Sequence, residues 1–388
     1  MLHRRLVMTT GFALFSMFFG SGNLVFPIQV GQESQGHYLV ALWGLLLTGI
    51  LVPFLGVFGM MLFHGKIDRF FSAFGSTGIF LFSFLSLALM GPFGVLARCL
   101  TVAHGALQLL WPSLSLPMGS LGLVILLFLL TVNESKIVSI LGQLLTPILL
   151  LSIGLIALFG LAQGSWPESS FQGDPFAAFF NGFFQGYQTM DLLAAFFFSS
   201  FVLGYLYQQS RPGEAPPLRL FFESSLLGAS ALGAVYGTLV LLGSMYAPYL
   251  ADVEPQQLMG VVALQALGPF AAPIVALAVV LACVTTGVVL TTLFADFLRE
   301  KICRGLLYRP ASLAITLMIG FSVSTLNFSG IAAFLGPLLV AVYPALIALT
   351  CYNIAAHFFR WPASHWPFTL LVAMHLLWRG YEAIALTA

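Results

Sequence analysis

Two short polar stretches interrupt long apolar runs, and they carry the side chains best suited to bind a small ligand. The first, FFGSGNLVFP at 18–27, places Gly, Ser, Gly and Asn in succession from Gly20 to Asn23. These are poor helix formers, and a Gly costs about 1 kcal/mol relative to Ala in a helix interior. The second, FFQGYQTMD at 183–191, begins with a Phe-Phe pair, as the first does. Both stretches therefore predict a helix that is broken in the middle of an apolar segment.

A broken helix offers backbone groups that suit a zwitterionic ligand. Amides freed at the start of a half-helix donate to a carboxylate and lie at the positive end of the helix dipole. Freed carbonyls accept from an ammonium group or coordinate a small cation, and Ser21 and Asn23 add side-chain oxygens. The alternative is that Gly20 and Gly22 only permit close helix packing. Because these glycines stand two residues apart and do not share a face, the spacing favours a ligand site.

Asp191 is the one acidic residue clearly inside an apolar span. A charged side chain there costs about 2.5–3.5 kcal/mol on insertion scales, so a functional role is the default interpretation. It would pair with a substrate ammonium, bind a cation or carry a proton. The structural alternative is an ion pair with Arg98, unless Arg98 reaches water at the outer part of its helix. His104, on the same helix as Arg98, is either a proton relay or a hydrogen-bonded structural histidine.

Paired hydroxyls in LACVTTGVVLTTLFADF at 281–297 offer oxygen ligands to a hard monovalent cation. Thr285 and Thr286 place two hydroxyls at one level, and Thr291 and Thr292 repeat the pair two turns below. A hydroxyl in such a helix usually bonds back to the carbonyl four residues earlier. This structural interpretation fits the lower pair better, so the upper pair is the candidate for a cation.

The composition is that of a membrane protein. The chain has 388 residues, of which 60% are hydrophobic and 7% charged, whereas a soluble domain is about 25% charged. Eleven apolar runs approach or exceed the roughly 20 residues that a helix needs to cross a bilayer, although the fourth is short. They lie at about 6–30, 38–63, 76–109, 119–132, 137–162, 175–207, 219–247, 269–298, 309–326, 330–355 and 363–380. We therefore predict an all-α polytopic membrane protein with a single transmembrane domain, residues 1–388.

Positive charges predict the orientation of these spans. With the N-terminus in the cytoplasm, twelve of the 14 Lys and Arg residues fall on the inner side, and only Arg98 and Arg379 do not. The outer loops contain no Lys or Arg. Between spans seven and eight, EPQQLMGVVALQAL at 254–267 predicts a short helix over the outer mouth rather than a crossing.

The two interrupted spans are the first and the sixth. Interrupted helices in corresponding positions of two halves are typical of inverted-repeat transporters, whose substrate site lies at the repeat interface. Span one begins a set of five and span six begins the next five, and an odd number of spans per set inverts the second set. The sequence thus predicts a first repeat at 6–162, an inverted second repeat at 175–355 and an additional helix at 363–380.

The chain resembles the branched-chain amino acid:cation symporter family (LIVCS, or BrnQ/BraB type) along most of its length. The resemblance is carried by GFALFSMFFGSGNLVFP, GPFGVLARCLTV, SKIVSILGQLLTPILL, GYQTMDLLAAFFF and LACVTTGVVLTTLFADF. It implies a bacterial inner-membrane symporter that imports leucine, isoleucine and valine with Na⁺ or, less often, H⁺. It also implies the LeuT-type 5+5 inverted-repeat fold of the amino acid–polyamine–cation superfamily, with helices 1 and 6 broken. Members usually have twelve predicted spans, so we expect eleven or twelve here.

The resemblance also implies which residues hold the ligands. The substrate carboxylate would meet the amides of the first break, and its ammonium would face the carbonyls of both breaks. The substrate side chain would lie among aromatic residues. The expected substrate-binding residues are Phe19, Gly20, Ser21, Gly22, Asn23, Phe183, Phe184, Gly186, Tyr187, Thr189 and Asp191. The expected Na⁺ ligands are the carbonyls of Ser16, Phe19 and Ala282 and the hydroxyls of Thr285 and Thr286.

Other classes of protein fit the sequence less well. A membrane enzyme would need a nucleophile–base pair, a metal cluster or paired carboxylates at depth, and the sequence has no such motif. In an ion channel, polar residues would line a pore, whereas here they gather at two breaks. A proton-coupled amino acid permease of the same fold, with Asp191 or His104 as carrier, stays open as the alternative. The expected partners are the amino-acid substrate and the lipid bilayer, with no nucleic acid and no obligatory protein partner.

Overall fold

The computed structural model is helical almost throughout the part of the chain that it describes, residues 2–34, 36–132, 141–166, 173–209 and 218–385. The helices of the first half are α1 (Leu2–Phe18), α2 (Ser21–Glu33), α3 (Tyr38–Leu46), α4 (Val52–Leu62), α5 (Ile67–Phe70), α6 (Gly75–Met90), α7 (Val95–Leu107), α8 (Leu116–Thr131) and α9 (Thr146–Gln163). The helices of the second half are α10 (Pro175–Gln188), α11 (Asp191–Gln209), α12 (Leu218–Met245), α13 (Leu258–Leu267), α14 (Ala271–Phe297), α15 (Arg309–Ser324), α16 (Asn327–Phe359) and α17 (Trp366–Ala385). Lys136 and Arg211, on which the predicted orientation partly rests, and the start of the predicted fifth span lie outside the described residues.

Seven helices among the described residues are long and apolar enough to cross a membrane, or eight if the bent pair α1 and α2 forms one span. The stretches predicted at 119–132, 309–326 and 363–380 also form helices, namely α8, α15 and α17. Both α8 and α15 have 16 residues, so each is only about 24 Å long, somewhat less than the hydrocarbon core. The polytopic helical architecture is confirmed, while the count of eleven or twelve crossings stays a prediction.

The interrupted sixth span and α14 lie at the centre of the bundle. In the most apolar window of each of Pro175–Gln208 and Ala271–Ile302, 78% of the residues are buried. The corresponding share is 33% for Gln143–Gln163 and for Asn327–Phe359, which therefore turn much of their surface outward. The short helix α13 forms between α12 and α14 as expected and packs against α2, α7, α9 and α14. Its place over the outer mouth stays a prediction.

The first predicted break is present between α1 and α2, whose axes differ by 68°. The Gly20 N–H donates to the Phe18 carbonyl oxygen at 2.8 Å, which closes a tight turn instead of continuing the helix. The Gly20 nitrogen also lies 3.4 Å from Asn23 Oδ1. A Cβ at Gly20 would lie 3.0 Å from Thr286 Cγ2 and Oγ1 on α14. Close packing therefore explains Gly20 in part. The residue that it packs against is Thr286, itself a predicted cation ligand.

The second predicted break is present between α10 and α11. Met190 has a φ of 63°, a left-handed conformation that is uncommon for a residue other than Gly. The Met190 N–H donates to the Tyr187 carbonyl at 3.1 Å, and the Thr189 hydroxyl donates to the Gly186 carbonyl at 2.8 Å. These bonds end α10 and allow α11 to begin at Asp191. Such local strain is concentrated at functional sites and costs about 1–3 kcal/mol.

The broken α10 is held in place by an unusually close approach to α3. A Cβ added at Gly182 would collide with the Ala41 carbonyl oxygen, and one added at Gly44 would collide with the Phe179 carbonyl oxygen. Small residues of this kind let helix backbones pack directly against each other in a membrane. The pair fixes the height of the second break relative to the rest of the bundle.

Candidate functional site

Both helix breaks face one small cavity of about 10 Å³. Its lining comes from six helices and the second break. The lining residues are Met17, Phe18, Asn23, Met90, Val95, Thr189, Met190, Asp191, Ala194, Phe198, Thr286 and Leu290. A single water needs about 10–15 Å³, so the cavity is closed in this conformation and must widen to admit a larger ligand. It presents a carboxylate, an amide and hydroxyls within an otherwise apolar wall.

The Asp191 carboxylate is bound by neutral donors from two other helices. Asn23 Nδ2 on α2 donates to Asp191 Oδ2 at 2.7 Å, and the Tyr236 hydroxyl on α12 donates to the same oxygen at 3.1 Å. Asn23 Nδ2 and the Tyr236 hydroxyl are also in contact. Asp191 is 2% exposed and lies in the first turn of α11, where the helix dipole favours a negative charge.

Arg98 does not pair with Asp191, so the ion-pair alternative was wrong. Its guanidinium donates instead to the carbonyl and side-chain oxygens of Gln188, at 2.8 and 3.0 Å. Arg98 is 1% exposed in this conformation, which also excludes direct contact with water here. The reason is helix geometry, because Gln188 ends α10 whereas Asp191 begins α11 on the other side of the break. His104 is buried as well, at 6% exposure, and a Cβ at Gly119 would lie 2.7 Å from its Nδ1.

The predicted cation ligands partly converge where α1 passes α14. The Thr285 hydroxyl donates to the carbonyls of Ser16 and Ala282 at 3.1 and 3.0 Å. The Thr286 hydroxyl donates to the carbonyls of Ser16 and Met17, both at 3.1 Å. The Phe19 carbonyl is not among these partners, and the Met17 carbonyl takes a place that the sequence did not suggest. Five neutral oxygens are thus linked by hydrogen bonds between α1 and α14, and such oxygens are ligands suited to a hard cation.

In the lower hydroxyl pair, Thr291 and Thr292, only Thr292 forms the bond within its own helix that the structural interpretation predicted. Its hydroxyl donates to the carbonyl of Val288, four residues earlier, at 2.9 Å. Thr291 is fully buried, and its hydroxyl has no hydrogen-bond partner among the described residues. The two pairs therefore differ in kind, since only the upper pair reaches across to another helix.

The remaining residues of the first break lie near the cavity without lining it. Ser21 Oγ accepts a hydrogen bond from Cys99 Sγ at 3.5 Å. A Cβ at Gly22 would lie 3.5 Å from the Thr189 Cα, so the two breaks nearly touch there. Phe19 is fully buried but stacks on Phe15, with ring centroids 5.1 Å apart.

The predicted aromatic wall on α10 is not part of the cavity lining. Phe184 is 45% exposed and turned toward the bundle surface. The Phe183 ring packs on Tyr187, which in turn packs on Tyr343, with centroids 5.2 and 4.9 Å apart. Gly186 lies directly against the Thr48 hydroxyl. These residues share the helix of the break but lie before it, whereas the cavity takes its apolar wall from the methionines, Phe18, Phe198 and Leu290.

Tyr236 is the site residue that sequence reasoning missed. It is fully buried in the middle of α12 and contacts both Asn23 and Asp191. A tyrosine within an apolar span is a weak signal, because an interfacial or core position explains it equally well. Nothing in the local sequence connects it to residues 45 and 213 positions away.

A wider opening of about 710 Å³ lies between the loops that carry Lys66 and Lys301. It is lined by Leu87, Phe197 and Leu293 among others. On the same helices, the cavity is lined by Met90, Phe198 and Leu290. Leu87 and Met90, Phe197 and Phe198, and Leu293 and Leu290 each lie within one helical turn of each other. The opening therefore approaches the cavity from the side of the basic loops.

Comparison with known proteins agrees with this architecture. Residues 3–385 match the family described as branched-chain amino acid transport protein. Two relatives in Bacillus subtilis (strain 168) are 28% identical: branched-chain amino acid permease BraB over 366 residues, with 90% of this chain and 80% of the relative covered, and branched-chain amino acid permease BrnQ over 393 residues, with 97% and 87% covered. The branched-chain amino acid transport system 3 carrier protein of Pseudomonas aeruginosa is 29% identical over 368 residues, with 91% and 81% covered.

Solved structures support the fold. The inward-facing conformation of Mhp1 matches with a TM-score of 0.59 at 15% identity, covering 88% of this chain and 76% of that one. A mutant of the manganese transporter of Eremococcus coleocola matches with a TM-score of 0.54 at 15% identity, covering 91% and 78%. The fold is therefore LeuT-like, as expected. The relatives are named permeases and carrier proteins rather than enzymes. On the match across nearly its whole length, this chain belongs to the branched-chain amino acid transport protein family.

Proposed function

We propose that this protein is a secondary active symporter that imports leucine, isoleucine and valine with Na⁺ by alternating access. The observation that carries the proposal is the convergence of both helix breaks and Thr286 on one cavity, in a chain of this transport family. The names of the relatives support the substrate class. We place the protein in a bacterial inner membrane with its N-terminus in the cytoplasm, and its two inverted repeats at 6–162 and 175–355.

The groups around the cavity suit both ends of an amino acid, which would bind when the cavity widens. The substrate ammonium lies toward the Asp191 carboxylate, which already faces the cavity and lies at its polar side. The substrate carboxylate lies toward the N-terminus of α2, where the amides of Ser21 and Gly22 begin a half-helix and have no intrahelical partner. The positive end of the α2 dipole favours a carboxylate there.

The apolar wall accounts for a preference for large aliphatic side chains. Met17, Met90 and Leu290 line the cavity together with Phe18 and Phe198. Each buried methylene contributes about 0.8 kcal/mol, so leucine is favoured over alanine. One methylene separates valine from isoleucine and is worth only about 1–3 kcal/mol. The three branched-chain amino acids should therefore compete for the site.

Na⁺ would be held where the Thr285 and Thr286 hydroxyls meet the carbonyls of Ser16, Met17 and Ala282. The residues fit such an ion because they supply several uncharged oxygens and no carboxylate. The ion would join α1 to α14 immediately beside the first break, and Thr286 also lines the substrate cavity. Ordering α1 in this way would raise the affinity for the amino acid, which is the coupling that symport requires.

One observation favours proton coupling as a second candidate. Asp191 is buried, accepts hydrogen bonds from two neutral groups, and has no basic partner among the described residues. A carboxylate in such surroundings is suited to take up and release a proton during transport. Asp191 would then be the carrier, and the hydroxyl cluster would be structural.

Leucine uptake into proteoliposomes with separately imposed Na⁺ and pH gradients tests both candidates. We expect an inward Na⁺ gradient to drive accumulation at equal pH on both sides. Accumulation that follows only the pH gradient would replace Na⁺ by H⁺ as the coupling ion. Absence of leucine, isoleucine and valine uptake under every gradient would contradict the substrate assignment.

Asp191→Asn separates the two roles of that carboxylate. As a ligand of the ammonium group, Asp191 is required for leucine binding itself, and the substitution should abolish measurable binding in detergent. Retained binding with loss of concentrative uptake would instead assign it to coupling. Retention of both would show that Asp191 is neither.

A further inference from the structure

Arg98 is a buried cation that the binding of substrate and Na⁺ does not use. It lies on α7 and is 1% exposed. Nη1 donates to the Gln188 carbonyl at 2.8 Å, and Nη2 donates to Gln188 Oε1 at 3.0 Å. The guanidinium carbon lies 5.4 Å from the ring centroids of both Phe26 and Phe328. One side chain thus connects α7 to α2, to the end of α10 and to the start of α16.

The partners of Arg98 are all uncharged. Within the described part of the chain, none of the ion pairs involves Arg98. The Gln188 carbonyl is at the C-terminus of α10, where the helix dipole is negative and the last carbonyls have no intrahelical partner. The Arg98 Nε has no hydrogen-bond partner. A charge held only by dipoles and ring faces is easier to release than one in a buried ion pair, whose separation is strongly unfavourable.

Gln188 is itself held between two helices. A Cβ at Gly336 would lie 2.9 Å from Gln188 Nε2, so the amide lies against the backbone of α16. The Phe26 and Phe328 rings pack on each other with centroids 5.6 Å apart. Arg98, Gln188, Phe26 and Phe328 therefore form one cluster, here called the outer cluster, at the place where α2, α7, α10 and α16 meet.

The outer cluster lies across the cavity from the wide opening. Along the third span, Leu87 lines the opening, Met90 and Val95 line the cavity, and Arg98 follows one turn later. Along the sixth span the order is reversed, since Gln188 precedes the cavity residues and Phe197 lines the opening. The cavity is thus approached from the Lys66 side and covered by the outer cluster on the opposite side.

We propose that Arg98 is the latch of the outer gate: it closes the cavity on the side away from the basic loops by binding Gln188 and the rings of Phe26 and Phe328. Outward opening requires the guanidinium to leave Gln188, so that α2 and α10 separate from α7 and α16. Arg98 is a positioning residue, because it acts through Gln188 and does not touch the cavity. This inference rests on the proposed transport function, since a gate has meaning only for a site that opens to both sides.

Thiol labelling from each side of the membrane tests the latch. The reporter is Val95→Cys, which places a thiol in the cavity, in the full-length chain with Cys99, Cys283, Cys303 and Cys351 replaced by Ala. A membrane-impermeant methanethiosulfonate is added to right-side-out and to inside-out vesicles. In this reporter chain with Arg98 unchanged, here called the Arg98 background, we expect labelling mainly from the inner side. Arg98→Gln should raise the ratio of outer to inner labelling rates about tenfold or more, because it removes two charge-assisted hydrogen bonds and a desolvated cation–π contact.

Gln188→Glu gives a second variant with the opposite expected sign. It keeps the size of the side chain and places a carboxylate beside the guanidinium, so the latch should hold more tightly. The ratio of outer to inner labelling should fall severalfold below that of the Arg98 background, and leucine uptake should slow. This variant keeps the proposal testable if Arg98→Gln does not reach the membrane.

Arg299→Gln is the matched control, because it removes an arginine that is partly exposed and pairs with Glu300 rather than with the outer cluster. It should leave the labelling ratio unchanged. Equal ratios in the Arg98 background, Arg98→Gln and Gln188→Glu would overturn the latch, as would a change of the same sign in both variants. Leucine binding is measured in the same preparations. If the parent chain bound no branched-chain amino acid, the proposed function would fail, while the labelling ratios would still decide about the gate.

Discussion

The Asp191 carboxylate is the polar centre of the cavity, and its surroundings explain how a charge is tolerated at that depth. It accepts hydrogen bonds from Asn23 and Tyr236 and lies at the positive end of α11. These interactions stabilise the anion without neutralising it. The carboxylate therefore keeps its capacity to bind a cationic group that enters the cavity.

Tyr236→Phe should weaken leucine binding without preventing folding. The substitution removes one hydrogen bond to a charged group, worth about 1.5–3 kcal/mol, and leaves the ring in place. If this bond orients Asp191 toward the ammonium group, the Kd for leucine should rise about tenfold or more, since each 1.4 kcal/mol is a factor of ten. Equilibrium binding of radiolabelled leucine in detergent measures the change.

Tyr246→Phe is the control for this variant. The Tyr246 hydroxyl donates to the Gly160 carbonyl at 3.0 Å, a buried hydrogen bond away from the cavity. It should lower thermal stability and leave the Kd for leucine unchanged. A Kd that is the same in Tyr236→Phe and the parent chain would remove Tyr236 from the site.

Replacing Thr285 and Thr286 by Ala should abolish the Na⁺ dependence of leucine uptake. Both hydroxyls reach from α14 to a carbonyl of α1, and the double variant removes both of these oxygens. Thr292→Ala is the matched control, because its hydroxyl bonds within its own helix. Uptake is measured in proteoliposomes over a series of Na⁺ concentrations. A double variant with the same Na⁺ dependence as Thr292→Ala would contradict the cation site.

At the scale of helices, the position of the second break depends on backbone contact between α10 and α3. Gly182 and Gly44 lie where the partner helix leaves no room for a Cβ. The Thr48 hydroxyl adds a hydrogen bond to the Phe183 carbonyl at 2.7 Å, one turn before the break. The half-helix is therefore fixed to α3 while its end at Gln188 is held by Arg98.

Gly182→Leu should destabilise the protein by about 3 kcal/mol or more, because the new side chain meets backbone rather than a movable side chain. The expected readout is a lower melting temperature in detergent, with less folded protein recovered from membranes. Gly154→Leu on α9 is the control, since a Cβ there meets nothing within 4 Å. Similar stability of the two variants would contradict the close contact between α10 and α3.

At the scale of the whole molecule, the cavity is approached from one side and covered on the other. The wide opening carries basic and acidic residues, including Lys66, Asp68 and Lys301. If Lys and Arg mark the cytoplasmic side, this conformation faces inward.

Reporter fusions test both the orientation and the number of crossings. A green fluorescent protein fused after Arg360 should fluoresce, because the tenth span is predicted to end in the cytoplasm. Fused after Ala385 it should stay dark, and alkaline phosphatase should show the reverse pattern. Fluorescence at both positions would mean that α17 does not cross the membrane. A dark green fluorescent protein and an active alkaline phosphatase after Arg360 would contradict the predicted orientation.

Much of the architecture follows from local properties of the sequence. Runs of about 20 apolar residues predict spans wherever they occur. The four residues from Gly20 to Asn23 predicted a break because Gly, Ser and Asn disfavour a helix interior. The sharp 68° bend at that place confirms the interruption. The end of α10 was predicted less well, since the aromatic residues expected in the site lie on the half-helix before the break.

Composition and helix propensity act over a few neighbouring residues, and they were enough to predict a chain that is apolar, helical and broken at two places. Which side chains meet follows instead from how the helices pack against one another. Tyr236 reaches Asp191 from 45 positions away, and Arg98 reaches Gln188 rather than Asp191. Such partners depend on the rotation and height of helices that pack in three dimensions. A change of about 100° per residue along a helix turns a side chain from one neighbour to another, and no local pattern specifies that choice.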